Sequence, residues 1–313
     1  MTIHRKKILL AVDGSNQSMD VVRYAGQIFS GQRVDIHLFH VLSPLPELFY
    51  DLGIEPALHQ SVLNIQVWES ALQDAIHAFI KKAIEVLVAS RIPQEAVSTK
   101  IQERKKGIAR DLLRECRQGY DAVMLGRTGL GAFRGLILGS VTNKLLEKST
   151  DFPICVVGES PDPGKWVYAM DDSTGALKAV ETVSTLLGAS SHEILLLHVL
   201  RDLYIFQPPP QDLFTPDSET HWMEAARHKM APAFEKAACL LTAAGFDLKQ
   251  IQTKILKGMH SRAAAIVHEA DRGGCGTIVV GRRGISRVHE FLMGRVGSKL
   301  IQLAKRQAIW VVG

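Results

Sequence analysis

The chain carries the same glycine spacing twice, about 155 residues apart. The first copy reads Gly126-Arg127-Thr128-Gly129, nine residues, then Gly139-Ser140, and the second reads Gly281-Arg282-Arg283-Gly284, nine residues, then Gly294-Arg295. Each copy follows a short apolar run and precedes a segment with helical periodicity. Glycines at a strand-to-helix junction let backbone N–H groups approach an anion at the helix N-terminus. The pattern therefore predicts a phosphate-binding loop, present twice.

The similarity between the two halves extends beyond the glycines. The apolar run before Asp13 recurs before Asp171, His40-Val41 recurs as His198-Val199, and the segment 152–158 recurs at 307–313. Self-similarity at a fixed period indicates a tandem duplication of a domain of ordinary size. Because Glu-Ser-Pro-Asp-Pro-Gly interrupts regular structure at the joint, we predict a first domain at residues 1–158, a linker at 159–164 and a second domain at 165–313.

Each half alternates short apolar runs of strand length with amphipathic helical segments. In the first half, one helix face between the runs 8–12 and 34–41 is formed by Val21, Ala25, Ile28 and Phe29. The resulting order βαβαβαβαβ predicts an α/β fold, in which a parallel sheet carries helices on both faces and the connections are right-handed.

Three candidate site residues come from the ends of strands that are far apart in sequence, namely Asp13, Val41 and Gly126. In an open parallel sheet, ligands bind beyond the carboxyl ends of the strands, where the winding direction reverses. We therefore expect these residues to converge on one crevice, as a nucleotide site requires.

Composition is that of an ordinary globular protein, with 46% hydrophobic and 22% charged residues. No signal peptide or membrane span is recognised, so no membrane partner is expected. The net charge of +5 is dispersed, which argues against a nucleic-acid partner; its main local excess indicates a solvated or phosphate-facing cluster, made of Arg282, Arg283, Arg287 and Arg295. The four cysteines form no Cys-x-x-Cys pair, which indicates reduced, mostly buried thiols and a cytoplasmic location.

The first glycine motif, the early Ala-Val-Asp-Gly-Ser and the later Pro-Ile-x-Val-Val together closely resemble the universal stress proteins, in their tandem two-domain form. The resemblance covers essentially the full length, and the first motif matches the ATP-binding version of the family at every defining position. It implies two tandem Rossmann-like domains, each with an open five-stranded parallel sheet, paired through their last strands at 154–157 and 309–312. Whether two chains also form a homodimer is left open.

Carried over residue by residue, the resemblance implies an adenine nucleotide in the first domain: ATP, or else ADP or AMP, with Mg²⁺ accompanying it. Ribose and phosphates would be contacted by the backbones of Gly126, Gly129, Gly139 and Val141, in a motif that also includes Arg127. The hydroxyl of Ser140 would reach a phosphate, Asp13 would lie near the nucleotide or its metal ion, and Val41 would help to fix adenine. The implied function is a nucleotide-dependent sensor or regulator of the stress response, read by an unidentified protein partner.

The second domain repeats the candidate positions as Asp171, Val199, Gly281, Gly284, Gly294 and Arg295. Arg295 replaces the small hydroxyl residue, and would either fill the phosphate pocket or reach a phosphate directly. Asp172 follows Asp171 where the first domain has a glycine, which adds negative charge. We therefore expect weak or altered binding here, with nucleotide mainly in the first domain.

Simpler structural roles remain open for several of these residues. The glycines could form only tight turns, and Asp13 and Asp171 could cap the helices that follow them. His40 and His198 are better explained as hydrogen-bonded structural residues than as metal ligands. The segments 43–50 and 204–210 suit a lid or a docking surface, or equally loops that pack their own aromatic side chains.

Catalysis has little support in the sequence, which contains no Gly-x-x-x-x-Gly-Lys-Ser/Thr, no Gly-x-Ser-x-Gly and no His-Glu-x-x-His. Two alternatives to a nucleotide-binding regulator remain. One is a nucleotide-independent scaffold or interaction protein. The other is a slow Mg²⁺-dependent ATPase, in which the metal ion and Asp13 would orient water.

Overall fold

The computed structural model describes residues 5–43, 59–129, 138–188, 190–200, 216–257, 261–283 and 293–313. Its strands are β1 Lys6–Ala11, β2 Val34–Leu42, β3 Val97–Glu103, β4 Ala122–Gly126, β5 Ile154–Val157, β6 Lys165–Ala169, β7 Glu193–Val199, β8 Ile251–Leu256, β9 Thr277–Gly281 and β10 Ala308–Val312. Its α-helices are α1 Asn16–Ile28, α2 His59–Ala89, α3 Ile108–Cys116, α4 Ser140–Lys148, α5 Thr174–Leu187, α6 Pro216–Ala243, α7 Arg262–Gly273 and α8 Arg295–Leu303.

Two of the sequence-based hypotheses fall on segments outside these ranges. The proposed lid or docking loops at 43–50 and 204–210 lie outside the described residues, apart from Ser43. Within the described part of the chain, no helix is long and apolar enough to cross a membrane.

Contacts divide the chain into two compact units, Met1–Leu145 and Leu146–Gly313. This division falls before the repeat boundary that the sequence suggests near residue 158. The difference arises because β5 belongs to the first repeat in sequence but pairs within the second unit, where it runs antiparallel to β10. The expected pairing of the two last strands is therefore present, with Trp310 opposite Cys155.

The first unit contains a parallel sheet in the order β3-β2-β1-β4. Its central strand β1 is buried from Ile8 to Leu10, and Ile8 pairs with Ile36 of β2 on one side and Ala122 of β4 on the other. Strands that are apolar on both sides need helices on both faces. All carboxyl ends lie at one edge, which brings the segments after β1, β2 and β4 together.

The second unit repeats this order as β8-β7-β6-β9-β10, all parallel, with β5 added antiparallel at the end. Two tryptophans, Trp166 of β6 and Trp310 of β10, are among its largest fully buried side chains. The predicted α/β class with Rossmann-like sheets and helices on both faces is confirmed.

The helices that follow β1 and β6 begin at serine N-caps rather than at the aspartates. The Ser15 hydroxyl accepts a hydrogen bond from the Ser18 N–H, and the Ser173 hydroxyl accepts one from the Ala176 N–H. A serine N-cap satisfies one of the donors that every helix start leaves without an intrahelical partner. The hypothesis that Asp13 and Asp171 cap these helices is therefore wrong, since each lies two residues before the cap.

Candidate functional site

The site lies at the carboxyl edge of the first unit, where the segment after β1 meets the loop after β4. Asp13 and Gly129 lie close together there: a Cβ built on Gly129 would overlap the Asp13 Oδ2 atom. These two residues are 116 positions apart in sequence. The sheet thus brings together two of the predicted site residues, and only a glycine fits at position 129 without displacing the carboxylate.

Asp13 is held in place by the start of α1. Its Oδ1 atom accepts hydrogen bonds from the Ser15 N–H at 3.0 Å and from the Ser18 hydroxyl at 2.6 Å, while its own N–H donates to the Ser18 Oγ atom at 2.9 Å. Because Oδ1 is oriented by the helix start, Oδ2 is the oxygen that faces Gly129. The carboxylate is therefore fixed rather than freely rotating.

A glutamine that the sequence analysis did not single out fastens the glycine loop to α1. The Gln17 Oε1 atom accepts from the Thr128 N–H at 2.6 Å and from the Thr128 hydroxyl at 2.9 Å. Both residues are half-buried. No local pattern identifies such a pair, because its members are 111 residues apart and glutamine is common on helix surfaces.

Hydrogen bonds join the end of the first motif, at the start of α4, to its beginning, at the end of β4. The Gly139 N–H donates to the Arg127 carbonyl at 2.9 Å, and the Thr142 hydroxyl donates to the Gly126 carbonyl at 2.9 Å. These bonds set the first turn of α4 beside the end of β4. Ser140, the first residue of α4, is exposed. The N–H groups of a helix's first turn have no intrahelical acceptor and carry a partial positive charge, which suits an anion.

Three other predicted residues of the first unit are buried or half-buried. The Arg127 side chain is buried, with 5% of its surface exposed, so any contact of this residue with a ligand would come from its backbone. Val41 is buried near the carboxyl end of β2, opposite Gln102 of β3. Val141, in the first turn of α4, is half-buried.

The strand-end histidines are hydrogen-bonded to the backbone in both units. The His40 Nδ1 atom lies 2.8 Å from the Val12 carbonyl, and the His198 Nδ1 atom lies 2.8 Å from the Met170 carbonyl. A carbonyl only accepts, so the proton is on Nδ1 in each ring. Burial lowers the pKa of both rings, despite the raising effects of these bonds and of the nearby Asp13 and Asp171 carboxylates. The prediction that both histidines are hydrogen-bonded is confirmed.

The second unit repeats the aspartate loop with a different charge balance. Asp171 Oδ1 accepts from the N–H and the hydroxyl of Ser173. The additional acidic residue Asp172 is exposed and forms an ion pair with Lys229 of α6, at 3.3 Å. Its charge is therefore partly balanced within the unit. Val199, the equivalent of Val41, is buried at the end of β7.

The glycine loop of the second unit packs directly against the helix start. A Cβ on Gly281 would lie 2.6 Å from the Gly175 carbonyl oxygen, and a Cβ on Gly175 would overlap the Arg283 carbonyl oxygen. Residue 175 is equivalent to residue 17 of the first unit. The loop and helix backbones are therefore in contact in the second unit, whereas in the first unit the Gln17 side chain lies between them.

The remaining residues of the second motif have separate positions. The Gly294 N–H donates to the Arg282 carbonyl at 2.8 Å, as Gly139 does to Arg127 in the first unit. Arg295 is exposed at the first position of α8, and Gly284 lies outside the described residues. A cation at a helix start is opposed by the helix dipole, which a bound anion would offset.

The sequence suggested that the arginine cluster of the second motif is solvated or faces a phosphate. In the structure, however, one of these arginines is buried. The Arg282 side chain is 2% exposed, and one of its guanidinium N–H groups donates to the Leu146 carbonyl at 2.5 Å, near the end of α4. Burial and the neighbouring Arg283 lower the pKa of Arg282, while Asp151 raises it. Carbonyls at a helix C-terminus attract cations. The interpretation of Arg282 as solvated or phosphate-facing is therefore wrong, and its role is structural.

Metal-binding chemistry is limited in the described part of the chain. Within those residues, no group of three or more His, Cys, Asp or Glu side chains is arranged to hold a metal ion. A metal ion bound by fewer protein ligands would need further ligands from outside the protein, such as the phosphates of a nucleotide.

Comparisons with known proteins agree with the duplicated fold. The Usp model, described as the universal stress protein family, matches residues 4–157 and again residues 164–311. A universal stress protein from Mycolicibacterium smegmatis is 29% identical over 150 residues, which cover 48% of this chain and 47% of that protein. The chain thus matches about half the length of this curated relative.

Solved structures resemble the whole chain. A universal stress protein from Archaeoglobus fulgidus DSM 4304 has a TM-score of 0.57 at 16% identity, over 98% of this chain and 97% of that one. A Pseudomonas aeruginosa PAO1 protein of unknown function has a TM-score of 0.56 at 14% identity, over 98% and 92%. At such identities the structures share the fold. Because the family model matches nearly the entire chain in two consecutive copies, the protein belongs to the universal stress protein family, as a tandem two-domain member.

Proposed function

We propose that the chain is an ATP-binding stress protein in which the first unit holds the nucleotide, and that the occupied state regulates an unidentified protein partner. The observation that carries the proposal is the contact between Asp13 and Gly129, where an added Cβ would overlap the carboxylate. Because residue 129 carries no side chain, no Cβ stands between its backbone and a ligand at the crevice.

The exposed first turn of α4 supports phosphate as the group bound. Ser140 offers a hydroxyl there, next to N–H groups that the helix leaves without an acceptor. Charge-assisted hydrogen bonds contribute roughly 1.5 to 3 kcal/mol each. A few of them therefore offset the several kcal/mol that association costs, and give affinities on the order of micromolar.

Asp13 fits a magnesium ion that arrives with the nucleotide. Mg²⁺ is commonly held by one or two carboxylates together with substrate phosphates and water, and Asp13 Oδ2 is directed toward the glycine loop. Bound Mg²⁺ would neutralise part of the phosphate charge beside this carboxylate. ADP or AMP would bind through the same loop with fewer phosphate contacts.

The second unit is the weaker candidate for nucleotide. Its loop backbone packs against Gly175, and its helix start carries Arg295 in place of Ser140. A guanidinium at this place either neutralises the helix start by itself or selects a different anion. We therefore propose one nucleotide per chain.

The test is nucleotide content and affinity of the full chain. Purified protein, denatured and chromatographed, is expected to release up to one adenine nucleotide per chain, and titration calorimetry with MgATP should give one site. Ser140→Arg should abolish both, because it reproduces the second motif at the first helix start. Ser30→Arg, which adds the same charge at an exposed position after α1, should leave binding unchanged.

Two results would replace the proposal. A chain that retains no nucleotide and gives no heat with MgATP would favour a nucleotide-independent scaffold, in which Ser140→Arg leaves partner binding and oligomeric state unaltered. Mg²⁺-dependent release of phosphate that is lost in Asp13→Asn would favour a slow ATPase instead.

A further inference from the structure

The Gln17 side chain connects α1 to the first glycine loop. The backbone N–H of Thr128 donates a hydrogen bond to the Gln17 Oε1 atom at 2.6 Å. The same oxygen also accepts the Thr128 hydroxyl at 2.9 Å. These two hydrogen bonds fix the middle of the first glycine loop, and they place the Gln17 side chain between the loop backbone and the α1 backbone. Gly126 reflects this spacing, because a Cβ there would lie 3.4 Å from the Gln17 Cβ.

The second unit lacks this spacer. Residue 175 is glycine, and the loop has moved against the helix backbone: a Cβ on Gly281 would meet the Gly175 carbonyl oxygen at 2.6 Å. The Arg283 carbonyl occupies the place where a side chain of residue 175 would begin. The two repeats therefore differ in how far the loop lies from the helix start, and they also differ in the side chain that the helix presents to it.

We propose that Gln17 is a positioning residue that holds the first glycine loop open for the phosphates of the nucleotide, and that Gly175 lets the second loop close on its helix. This inference rests on the proposed nucleotide function. Gln17 acts through Thr128, because both of the hydrogen bonds described for its Oε1 atom are made to the loop.

The expected effect is larger for the nucleotide than for its nucleoside. Removal of the Gln17 amide leaves the Thr128 N–H and hydroxyl without their acceptor, and the loop between Gly126 and Gly129 can then relax toward α1. Groups that bind phosphate would be displaced, whereas β2, which carries Val41 at the opposite side of β1, would not. Adenosine would lose only the contacts that the loop makes to ribose, so affinity for ATP should fall further than affinity for adenosine.

The experiment compares the full-length wild type with Gln17→Ala and with Gln27→Ala, an exposed glutamine on the same helix. Calorimetry with MgATP, and with adenosine at millimolar concentration, should show ATP affinity at least ten-fold weaker in Gln17→Ala than in wild type, and adenosine affinity weakened less than about three-fold. Gln27→Ala should match wild type for both ligands.

A second measurement needs no ligand. Amide hydrogen exchange of the unliganded protein should show the Thr128 N–H exchanging at least ten-fold faster in Gln17→Ala than in wild type or Gln27→Ala. Normal exchange at Thr128, or normal ATP affinity in Gln17→Ala, overturns the inference and leaves the proposed function intact. A wild-type chain that binds neither MgATP nor adenosine overturns both. An equal loss of ATP and adenosine affinity also rejects the positioning role, because it indicates general disruption of the crevice.

Discussion

Asp13 Oδ2 lies where a Cβ on Gly129 would have to be. The carboxylate cannot turn away easily, because its other oxygen is bonded to the Ser15 N–H and the Ser18 hydroxyl. The pair couples the segment after β1 to the loop after β4. A substitution at either residue therefore tests the geometry of the crevice directly.

Gly129→Ala is expected to weaken MgATP binding at least ten-fold, because the added methyl displaces either the Asp13 carboxylate or the loop. The loop lies at the sheet edge, so the thermal unfolding midpoint should change little. Calorimetry and thermal unfolding of the full chain provide the measurements. Gly164→Ala is the control, since a Cβ there meets only the exposed Asp162 side chain, at 3.3 Å. Undiminished MgATP affinity in Gly129→Ala would show that the crevice does not contain the ligand.

Gly175→Ala is expected to destabilise the second unit by about 1 to 3 kcal/mol, as overpacking does. At an exposed helix position, a change from glycine to alanine would stabilise the protein by up to about 1 kcal/mol. The destabilisation expected here therefore depends on the overlap of the added Cβ with the Arg283 carbonyl. Urea unfolding gives the comparison. Gly297→Ala in α8 is the matched control, because its Cβ would make an ordinary contact with Met293 at 3.5 Å and should be neutral or stabilising. Equal midpoints for Gly175→Ala and wild type would contradict the close packing.

Stability should fall as the pH is lowered below about 6.5, the ordinary pKa of histidine. Burial lowers the pKa of four histidines, His37, His40, His192 and His198. Between the lowered and the ordinary pKa the unfolded chain binds more protons than the folded chain, so protonation favours unfolding. Each histidine that titrates fully in this window contributes a slope of up to about 1.4 kcal/mol per pH unit.

The histidine prediction is checked by urea midpoints at pH 7.5, 6.5 and 5.5. His40→Asn keeps a donor for the Val12 carbonyl but cannot be protonated, so its midpoint should fall less steeply with acid than that of the wild type. His228→Asn, at an exposed position of α6, should retain the wild-type slope. The explanation fails if His40→Asn and the wild type lose stability in parallel.

Glu269→Gln is expected to destabilise the second unit by about 1 to 3 kcal/mol, because it removes the charge of a buried carboxylate that is hydrogen-bonded to two partly exposed cations. The Glu269 carboxylate, 9% exposed, accepts hydrogen bonds from Lys254 at 2.7 Å and Arg272 at 3.2 Å. Burial raises the pKa of Glu269, but these cationic partners outweigh it, and the net shift is downward. Its contribution is therefore present above the ordinary glutamate pKa and is lost as the pH falls through the lowered value.

A matched exposed pair controls for the change of charge. Glu193 and Lys165 also form an ion pair, at 3.0 Å, but both side chains are largely exposed. Exposed pairs contribute little to stability, so Glu193→Gln should leave the urea midpoint near that of wild type at neutral pH. Equal losses in Glu193→Gln and Glu269→Gln would mean that burial of the network does not matter.

Much of the fold could be predicted because its signals are periodic and local. Buried strands and amphipathic helices alternate in the expected order in both units, and the structure confirms the strands and helices around Asp13 and Gly126. The approach of Asp13 to Gly129 also follows from the topology, since β1 and β4 are neighbours and the carboxyl ends of parallel strands share an edge. Val41, at the end of β2, follows from the same rule.

Other features could not be predicted, because they depend on contacts between residues distant in sequence. The bonds from Thr128 to Gln17 span 111 residues, and the bond from Arg282 to the Leu146 carbonyl spans 136. An arginine in a glycine loop and a glutamine in a helix are both typical of exposed surfaces. Only packing distinguishes them from their exposed neighbours, such as Arg295.

The sequence alone determined that the chain is a duplicated α/β protein with two glycine loops, because repetition, hydrophobic period and glycine spacing are written along the chain. The tertiary structure decided how the two loops differ. In the first unit a side chain, Gln17, separates loop from helix; in the second, Gly175 lets the two backbones touch. The distance between the loop and helix backbones depends on side chains that meet across the fold. The effect of the difference between Gln17 and Gly175 can therefore be seen only once the facing glycine loop is in place.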